Sequence, residues 1–181
     1  MNNYTWLERK LHQIALSAQF MREATFDFES TYVSSLPLID DHIFITGLPR
    51  AGTTILLNAL YQSDLFASLS YADMPFVLAP NLWSKFSFHK KNIDFKERAH
   101  GDGIQVSTQS PEAFEEVFWK TFFEESEEEL IELFGIYVGN ITHKYNRKRY
   151  LSKNNQNIRR LNLIASVFNK SKILIPFREP I

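Results

Sequence analysis

The chain has 181 residues, a net charge of −1 and no cysteine. This length corresponds to about one domain, and the lack of cysteine excludes disulfides and thiolate metal sites. The 16 Phe, 7 Tyr and 3 Trp predict a packed aromatic core rather than a disordered chain. The near-neutral charge argues against nucleic acid as a partner. No apolar run approaches the ~20 residues that cross a bilayer, and no signal peptide is apparent, so we expect a cytoplasmic protein without membrane insertion.

The first predicted element is a helix over residues 3–25. Thr5 and Glu8 have the spacing of a capping box, and Leu7, Leu11 and Ile14 recur at helical spacing. This helix is expected to pack on the outside of a single domain spanning residues 1–181, whose ligand-binding core occupies residues 42–181.

A strand, a tight loop and a helix are predicted over residues 43–60. Apolar residues precede Gly47, and an apolar-periodic segment follows Gly52, Thr53 and Thr54. The first turn of a helix has unpaired backbone N–H groups and a positive dipole end, which together favour an anion. The two glycines permit a tight turn, and Arg50 adds a fixed positive charge. The pattern therefore predicts an anion site.

The spacing from Gly47 to Gly52 equals that of the P-loop of NTPases. Such enzymes need a lysine directly after the second glycine, where this chain has Thr53. A nucleotide kinase or NTPase stays an alternative interpretation, and magnesium-dependent ATP binding would support it.

The string from Pro49 through Arg50, Ala51, Gly52, Thr53 and Thr54 resembles the 5′-phosphosulfate-binding loop of the sulfotransferases. Ala51 stands where the family usually has serine. The resemblance implies an α/β fold, with a parallel β-sheet flanked by helices as in P-loop nucleotide-binding proteins. It also implies 3′-phosphoadenosine 5′-phosphosulfate as the sulfuryl donor, no metal, and a small-molecule or macromolecular acceptor with a hydroxyl or amine.

The next predicted strand, residues 65–71, leads to Asp73. In the tyrosylprotein branch of the family a carboxylate at a similar distance after the loop is the catalytic base, so the resemblance makes Asp73 a candidate base. A turn or N-cap residue is the competing interpretation. His100, in a glycine-containing stretch with Asp102, is a second candidate, because cytosolic sulfotransferases use a histidine.

Ser110, Pro111 and Glu112 predict a helix start, with serine as N-cap and proline in the first turn. The acidic run at residues 124–129 precedes apolar residues at helical spacing. We interpret it as a solvated helix face rather than a metal site.

Residues 144–160 contain seven basic and no acidic side chains. Within them, Arg149 to Lys153 predict a strand, and a helix follows through Ile158 and Ile164. By resemblance to the tyrosylprotein branch, Lys153 steadies the charge on the transferring sulfuryl group. An exposed lysine in a basic loop is the alternative.

A last strand before Pro176 leads to Arg178, which by resemblance binds the 3′-phosphate of the donor. The family's partner serine lies about eight residues beyond this arginine, so we expect the C-terminal part of the fold to be incomplete here. A truncated, non-catalytic nucleotide-binding protein is therefore a further alternative. The sequence leaves the acceptor and the oligomeric state open.

Overall fold

The computed structural model describes residues 19–33, 39–87 and 110–178, and the backbone of two short strands at 96–97 and 105–106. The first sixteen residues of the predicted helix over 3–25 lie outside these ranges. The helix that is described continues to Tyr32, seven residues past its predicted end.

The described strands form one four-stranded sheet and one small hairpin. The strands are β1 (Ile43–Ile45), β2 (Phe66–Ala67), β3 (Lys96–Glu97), β4 (Gln105–Val106), β5 (Arg149–Lys153) and β6 (Lys172–Leu174). The larger sheet has the order β2-β5-β1-β6, and every neighbouring pair in it is parallel. Strands β3 and β4 form an antiparallel pair of their own.

Six α-helices surround the sheet within the described part of the chain. They are α1 (Gln19–Tyr32), α2 (Thr53–Tyr61), α3 (Pro80–Phe86), α4 (Glu115–Thr121), α5 (Glu127–Tyr145) and α6 (Leu161–Val167). Short 3-10 turns occupy Tyr71–Asp73 and Asn155–Arg159. Helix α5 begins at the N-cap Ser126 and ends at Asn146, whose left-handed backbone stops the helix.

Both faces of the sheet are covered, which explains why β1 is apolar at every position. Phe44 packs into a large aromatic cluster that includes residues of α1, α4, α5 and α6. Ile43 and Ile45 point the other way, into a smaller cluster with Leu57 of α2. A parallel sheet buried on both faces needs such continuous apolar strands. The predicted fold class, a parallel sheet flanked by helices, is confirmed.

Two further predicted boundaries are wrong, and the same contact explains both. Strand β2 ends at Ala67 instead of residue 71, and α4 begins at Glu115 instead of Pro111. Ser70 and Pro111 form an antiparallel bridge, and the Glu112 N–H donates to the Leu69 carbonyl over 3.1 Å. This long-range pairing overrides the local helix-start signal of Ser110 and Pro111.

Candidate functional site at the carboxyl edge of the sheet

Because the four strands are parallel, their carboxyl ends meet at one edge of the sheet. The segments that follow β1, β2, β5 and β6 therefore all begin at this edge, which is where ligands gather in open α/β sheets. Arg50, Asp73, Lys153 and Arg178 each follow or end one of these four strands. The topology thus brings four of the predicted site residues to a common edge.

The loop after β1 adopts backbone conformations that side chains rarely allow. Gly47 has φ 143° and Gly52 has φ 88°, and Arg50 between them has φ 67°. A Cβ at Gly47 would lie 3.3 Å from the Pro176 carbonyl oxygen, so this glycine also permits close packing against the segment after β6. A Cβ at Gly52 would meet no atom within 4 Å, so there the conformation alone favours glycine.

Helix α2 starts at this loop with its positive end unoccupied by a side-chain cap. Gly52 is the N-cap and supplies no side-chain hydrogen bond. The Thr53 side chain is buried, whereas Thr54 is partly exposed. Arg50 is exposed and makes no side-chain hydrogen bond or ion pair within the described residues. This combination of helix dipole, backbone N–H groups and an uncommitted guanidinium suits an anionic ligand.

Thr46, buried directly before the loop, ties the carboxyl edge together. Its hydroxyl donates to the Asn155 carbonyl over 3.2 Å and accepts from the Ile158 N–H over 3.1 Å. Its N–H donates to the Leu174 carbonyl over 3.0 Å. The loop after β1 is therefore held in a fixed relation to the segments around β5 and β6.

Lys153 is the last residue of β5 and pairs in register with Ile45, the last residue of β1. It is partly exposed. Only Thr46 separates Ile45 from the loop after β1, so the lysine lies at the edge where this loop begins. The predicted strand over 149–153 is confirmed.

Asp73 is fully buried, and its carboxylate is held by several donors. Oδ2 accepts from the Ser70 N–H over 2.7 Å, from the Ser70 hydroxyl over 3.3 Å and from the Tyr145 hydroxyl over 2.6 Å. Oδ1 forms an ion pair with Lys144. Burial raises the pKa of Tyr145, so its hydroxyl keeps the proton that it donates. This geometry fits the second interpretation of Asp73, a turn residue that closes the segment after β2.

Three glutamates near the start of α4 lie at the same edge and were missed as site residues in the sequence. Glu115 is buried and accepts from Trp119, Asn157 and Tyr150. Glu116 accepts from both terminal nitrogens of Arg160, over 2.9 and 3.2 Å.

Burial of Glu116 favours its neutral form, but the hydrogen bonds from Arg160 and Asn154 prevail and lower its pKa. The third, Glu112, is partly exposed and accepts from the Tyr71 hydroxyl over 3.0 Å. In the sequence, the only sign of these three glutamates is that they lie at the start of a segment with helical apolar spacing.

Of the remaining predicted site residues, the structure describes Arg178 but not His100. Arg178 is exposed, four residues after β6, and has no side-chain hydrogen bond or ion pair to any residue that the structure describes. His100 and Asp102 lie outside the described residues. Across the described ranges, no group of three or more His, Asp or Glu side chains could hold a metal ion. The helices of those ranges are too short or too polar to cross a membrane.

The fold and this edge define an α/β protein in which the inner strand β1 leads through a glycine-containing, P-loop-like turn into the first turn of α2. The model of the sulfotransferase family matches residues 42–181, which contain the whole sheet, and the chain therefore belongs to the sulfotransferase family.

Two solved structures share the fold. Sulfotransferase STF1 from Mycobacterium tuberculosis H37Rv aligns with a TM-score of 0.57 and 15% identity, covering 96% of this chain and 56% of its own. Sulfotransferase STF9 from Mycobacterium avium aligns with a TM-score of 0.54 and 14% identity, covering 99% of this chain and 54% of its own. The chain thus spans a little over half the length of these two proteins. No curated protein sequence matches it.

Proposed function

We propose that the protein transfers a sulfuryl group from 3′-phosphoadenosine 5′-phosphosulfate to the hydroxyl or amine of an acceptor. The observation that carries the proposal is the loop after β1. Its left-handed Arg50 and Gly52 open onto the uncapped first turn of α2. Membership of the sulfotransferase family supports the same reaction class.

The residues at the edge fit an anionic donor. No acidic residue occurs between Thr46 and Tyr61, so the loop and α2 present donors and a cation without a competing carboxylate. When bound, the donor supplies a sulfuryl group already activated by its link to phosphate. The backbone N–H groups from Arg50 to Thr54 hold its phosphosulfate end, and Pro49 and Ala51 complete the turn.

Two cations offset the charge that develops during transfer. Arg50 and Lys153 lie at the ends of neighbouring strands and stabilise negative charge on the bridging and sulfuryl oxygens. One preorganised donor of this kind contributes about 3–4 kcal/mol in acyl-transfer enzymes, which sets the scale. Arg178, after β6, binds the 3′-phosphate through its paired N–H groups.

The acceptor proton needs a base at this edge. Asp73 and His100 were the candidates from the sequence. A base must reach the acceptor to within hydrogen-bond distance. Asp73 is fully buried, which favours a structural role for this residue. The alternatives, a nucleotide kinase or a non-catalytic nucleotide-binding protein, share the loop but predict different ligands.

Thermal unfolding tests the donor site directly. We expect 3′-phosphoadenosine 5′-phosphate at 100 times its dissociation constant to stabilise the protein by about 2.7 kcal/mol. For a chain of this size that is a rise of about 5–11 °C in the midpoint. ATP with magnesium should give no comparable shift. A shift with ATP–magnesium alone would favour the kinase, and a shift with the bisphosphate but no turnover would favour the non-catalytic protein.

A matched pair of arginine variants assigns the site. Arg50→Ala should abolish the bisphosphate-induced shift and turnover while the far-ultraviolet circular dichroism spectrum stays unchanged. Arg147→Ala is the control, because Arg147 precedes β5 at the opposite edge of the sheet and pairs there with Asp64. Near-normal turnover of Arg50→Ala would sink the assignment.

A further inference from the structure

The turn that follows β5, residues 154–160, is tied to β1 through its backbone. The Asn154 N–H donates to the carbonyl of Ile45, the last residue of β1, over 2.9 Å. Further along the turn, the Ile158 N–H donates to the buried hydroxyl of Thr46 over 3.1 Å. Both bonds reach the two residues that precede the loop after β1. The turn and the loop therefore start from a common point.

Glu116 of α4 holds the same turn through side chains. Its Oε2 accepts from the Asn154 side chain over 2.7 Å, at the first residue of the turn. Its two oxygens also accept from Nη1 and Nη2 of Arg160 over 2.9 and 3.2 Å, at the last residue of the turn. The neighbouring Glu115 accepts from Asn157, in the middle of the turn, over 2.7 Å. One carboxylate thus joins the two ends of the turn to α4.

The alternation of side chains along β5 shows which face of the sheet each residue serves. Leu151 packs in the cluster that contains residues of α2, whereas the Tyr150 hydroxyl donates to a glutamate of α4. Successive side chains of a strand point to opposite faces. Lys153 therefore lies on the face of α2, which begins at the loop after β1, and the extended Asn154 lies on the face of α4.

We propose that Glu116 is a positioning residue for the donor site, an inference that rests on the proposed function. Through Asn154 and Arg160 it fixes the turn after β5 from the α4 face. The turn in turn holds Lys153, on the other face, at a set distance from the loop after β1. Glu116 does not touch the donor. Because a cation stabilises a developing charge best when it is held in place beforehand, this contact matters for binding and transfer.

The test measures binding of 3′-phosphoadenosine 5′-phosphate to the full chain by calorimetry. Glu116→Ala should raise the dissociation constant about three- to tenfold, within the range of couplings between residues in contact. Glu116→Gln keeps an acceptor for Asn154 and should have a smaller effect in the same direction. The sign is informative, because removal of a negative charge would by itself favour an anionic ligand.

A double-mutant cycle shows whether Glu116 acts through Lys153. Lys153→Ala should raise the dissociation constant about tenfold or more, as loss of a hydrogen bond from a charged group does. Adding Glu116→Ala to Lys153→Ala should change the dissociation constant by less than about twofold, because the residue that Glu116 positions is then absent. Loss of packing alone would weaken binding equally in both backgrounds.

Asp41→Ala is the matched control. Asp41 pairs with Arg149, the first residue of β5, over 3.1 Å at the amino edge of the sheet. The variant removes an acid that holds the same strand, at the edge away from the loop after β1. Its dissociation constant should stay within about twofold of the unaltered value, as expected for distant, independent sites. Urea unfolding without ligand checks that each variant is folded, and Glu116→Gln serves if Glu116→Ala is not.

The other outcomes overturn the inference in recognisable ways. Unchanged or tighter binding by both Glu116 variants would mean that the carboxylate does not position the site. Equal weakening with and without Lys153 would mean that Glu116 acts on the fold as a whole. If the unaltered protein does not bind the bisphosphate, the proposed function itself fails and this inference fails with it.

Discussion

At the residue scale, Arg50 combines an unfavourable backbone conformation with a charge that has no ion-pair partner among the described residues. Its φ of 67° lies in the left-handed region, where a residue with a Cβ costs about 1–2 kcal/mol relative to its ordinary conformation. The side chain makes no hydrogen bond or ion pair with the described residues that would offset this cost. Strain of this kind persists at ligand sites, where the geometry serves binding rather than stability.

Replacing Arg50 should separate stability from binding. We expect Arg50→Gly to be more stable than Arg50→Ala by about 1 kcal/mol. Glycine adopts a positive φ without strain, and this relief outweighs the larger entropy that glycine gives the unfolded chain. Both variants should lose the stabilisation by 3′-phosphoadenosine 5′-phosphate. Urea unfolding with and without the bisphosphate measures both effects. Equal stability of the two variants would show that the loop is not left-handed in solution.

At the element scale, one helix is capped by another. The fully buried carboxylate of Glu29, on α1, accepts from the backbone N–H groups of Asn81 and Leu82 over 2.7 and 3.0 Å. These groups belong to the first turn of α3. The same carboxylate accepts from the Asn81 side chain over 2.6 Å. Ala79, the N-cap of α3, supplies no side-chain hydrogen bond, so Glu29, 52 residues before Asn81, takes that part.

Removing this cap should destabilise the protein strongly. Glu29→Ala leaves buried donors of α3 without their acceptor, and we expect a loss of about 2–4 kcal/mol in urea unfolding. Glu29→Gln, which keeps one amide oxygen, should lose less. Glu132→Ala, at an exposed position of α5, should change stability by no more than about 0.5 kcal/mol. A loss below 1 kcal/mol for Glu29→Ala would mean that water replaces the cap.

At the scale of the whole molecule, local patterns predicted the central strand β1, the turn after it and the helix that follows. The apolar run before Gly47 and the periodic segment after Gly52 correspond closely to β1 and α2, because residues close in sequence determine both elements. The environment of Asp73 could not be predicted in this way. Its hydrogen bond to Tyr145 joins residues 72 positions apart, and no local pattern encodes that contact.

Distant pairing explains the wrong helix start as well. Ser110 and Pro111 carry strong local signals, yet their backbone bonds to Ser70 and Tyr71 beyond β2. The same pairing places Glu112 beside Leu69, past the end of β2. A residue that the sequence presented as part of a helix start is thereby placed beside the carboxyl edge.

The stability of the whole molecule should depend on pH through His42, at the amino end of β1. This fully buried histidine accepts from the Tyr150 N–H at Nδ1 over 2.9 Å, and its ring lies edge-on to Phe168, so it joins the sheet to the helical layer. Burial lowers the pKa of His42 from 6.5 to about 4. Between these pH values the imidazole is protonated in the unfolded chain but neutral in the folded protein. The free energy of unfolding therefore falls as the pH falls. From pH 8 to pH 5 this group alone should remove about 2 kcal/mol from the free energy of unfolding.

His42→Gln keeps an acceptor for Tyr150 and should be less stable at pH 8, yet lose about 2 kcal/mol less on going to pH 5. Urea unfolding at both pH values measures the difference, and His143→Gln, at an exposed position, is the control. The same pH dependence in His42→Gln and the unaltered protein would show that His42 titrates normally in the folded state.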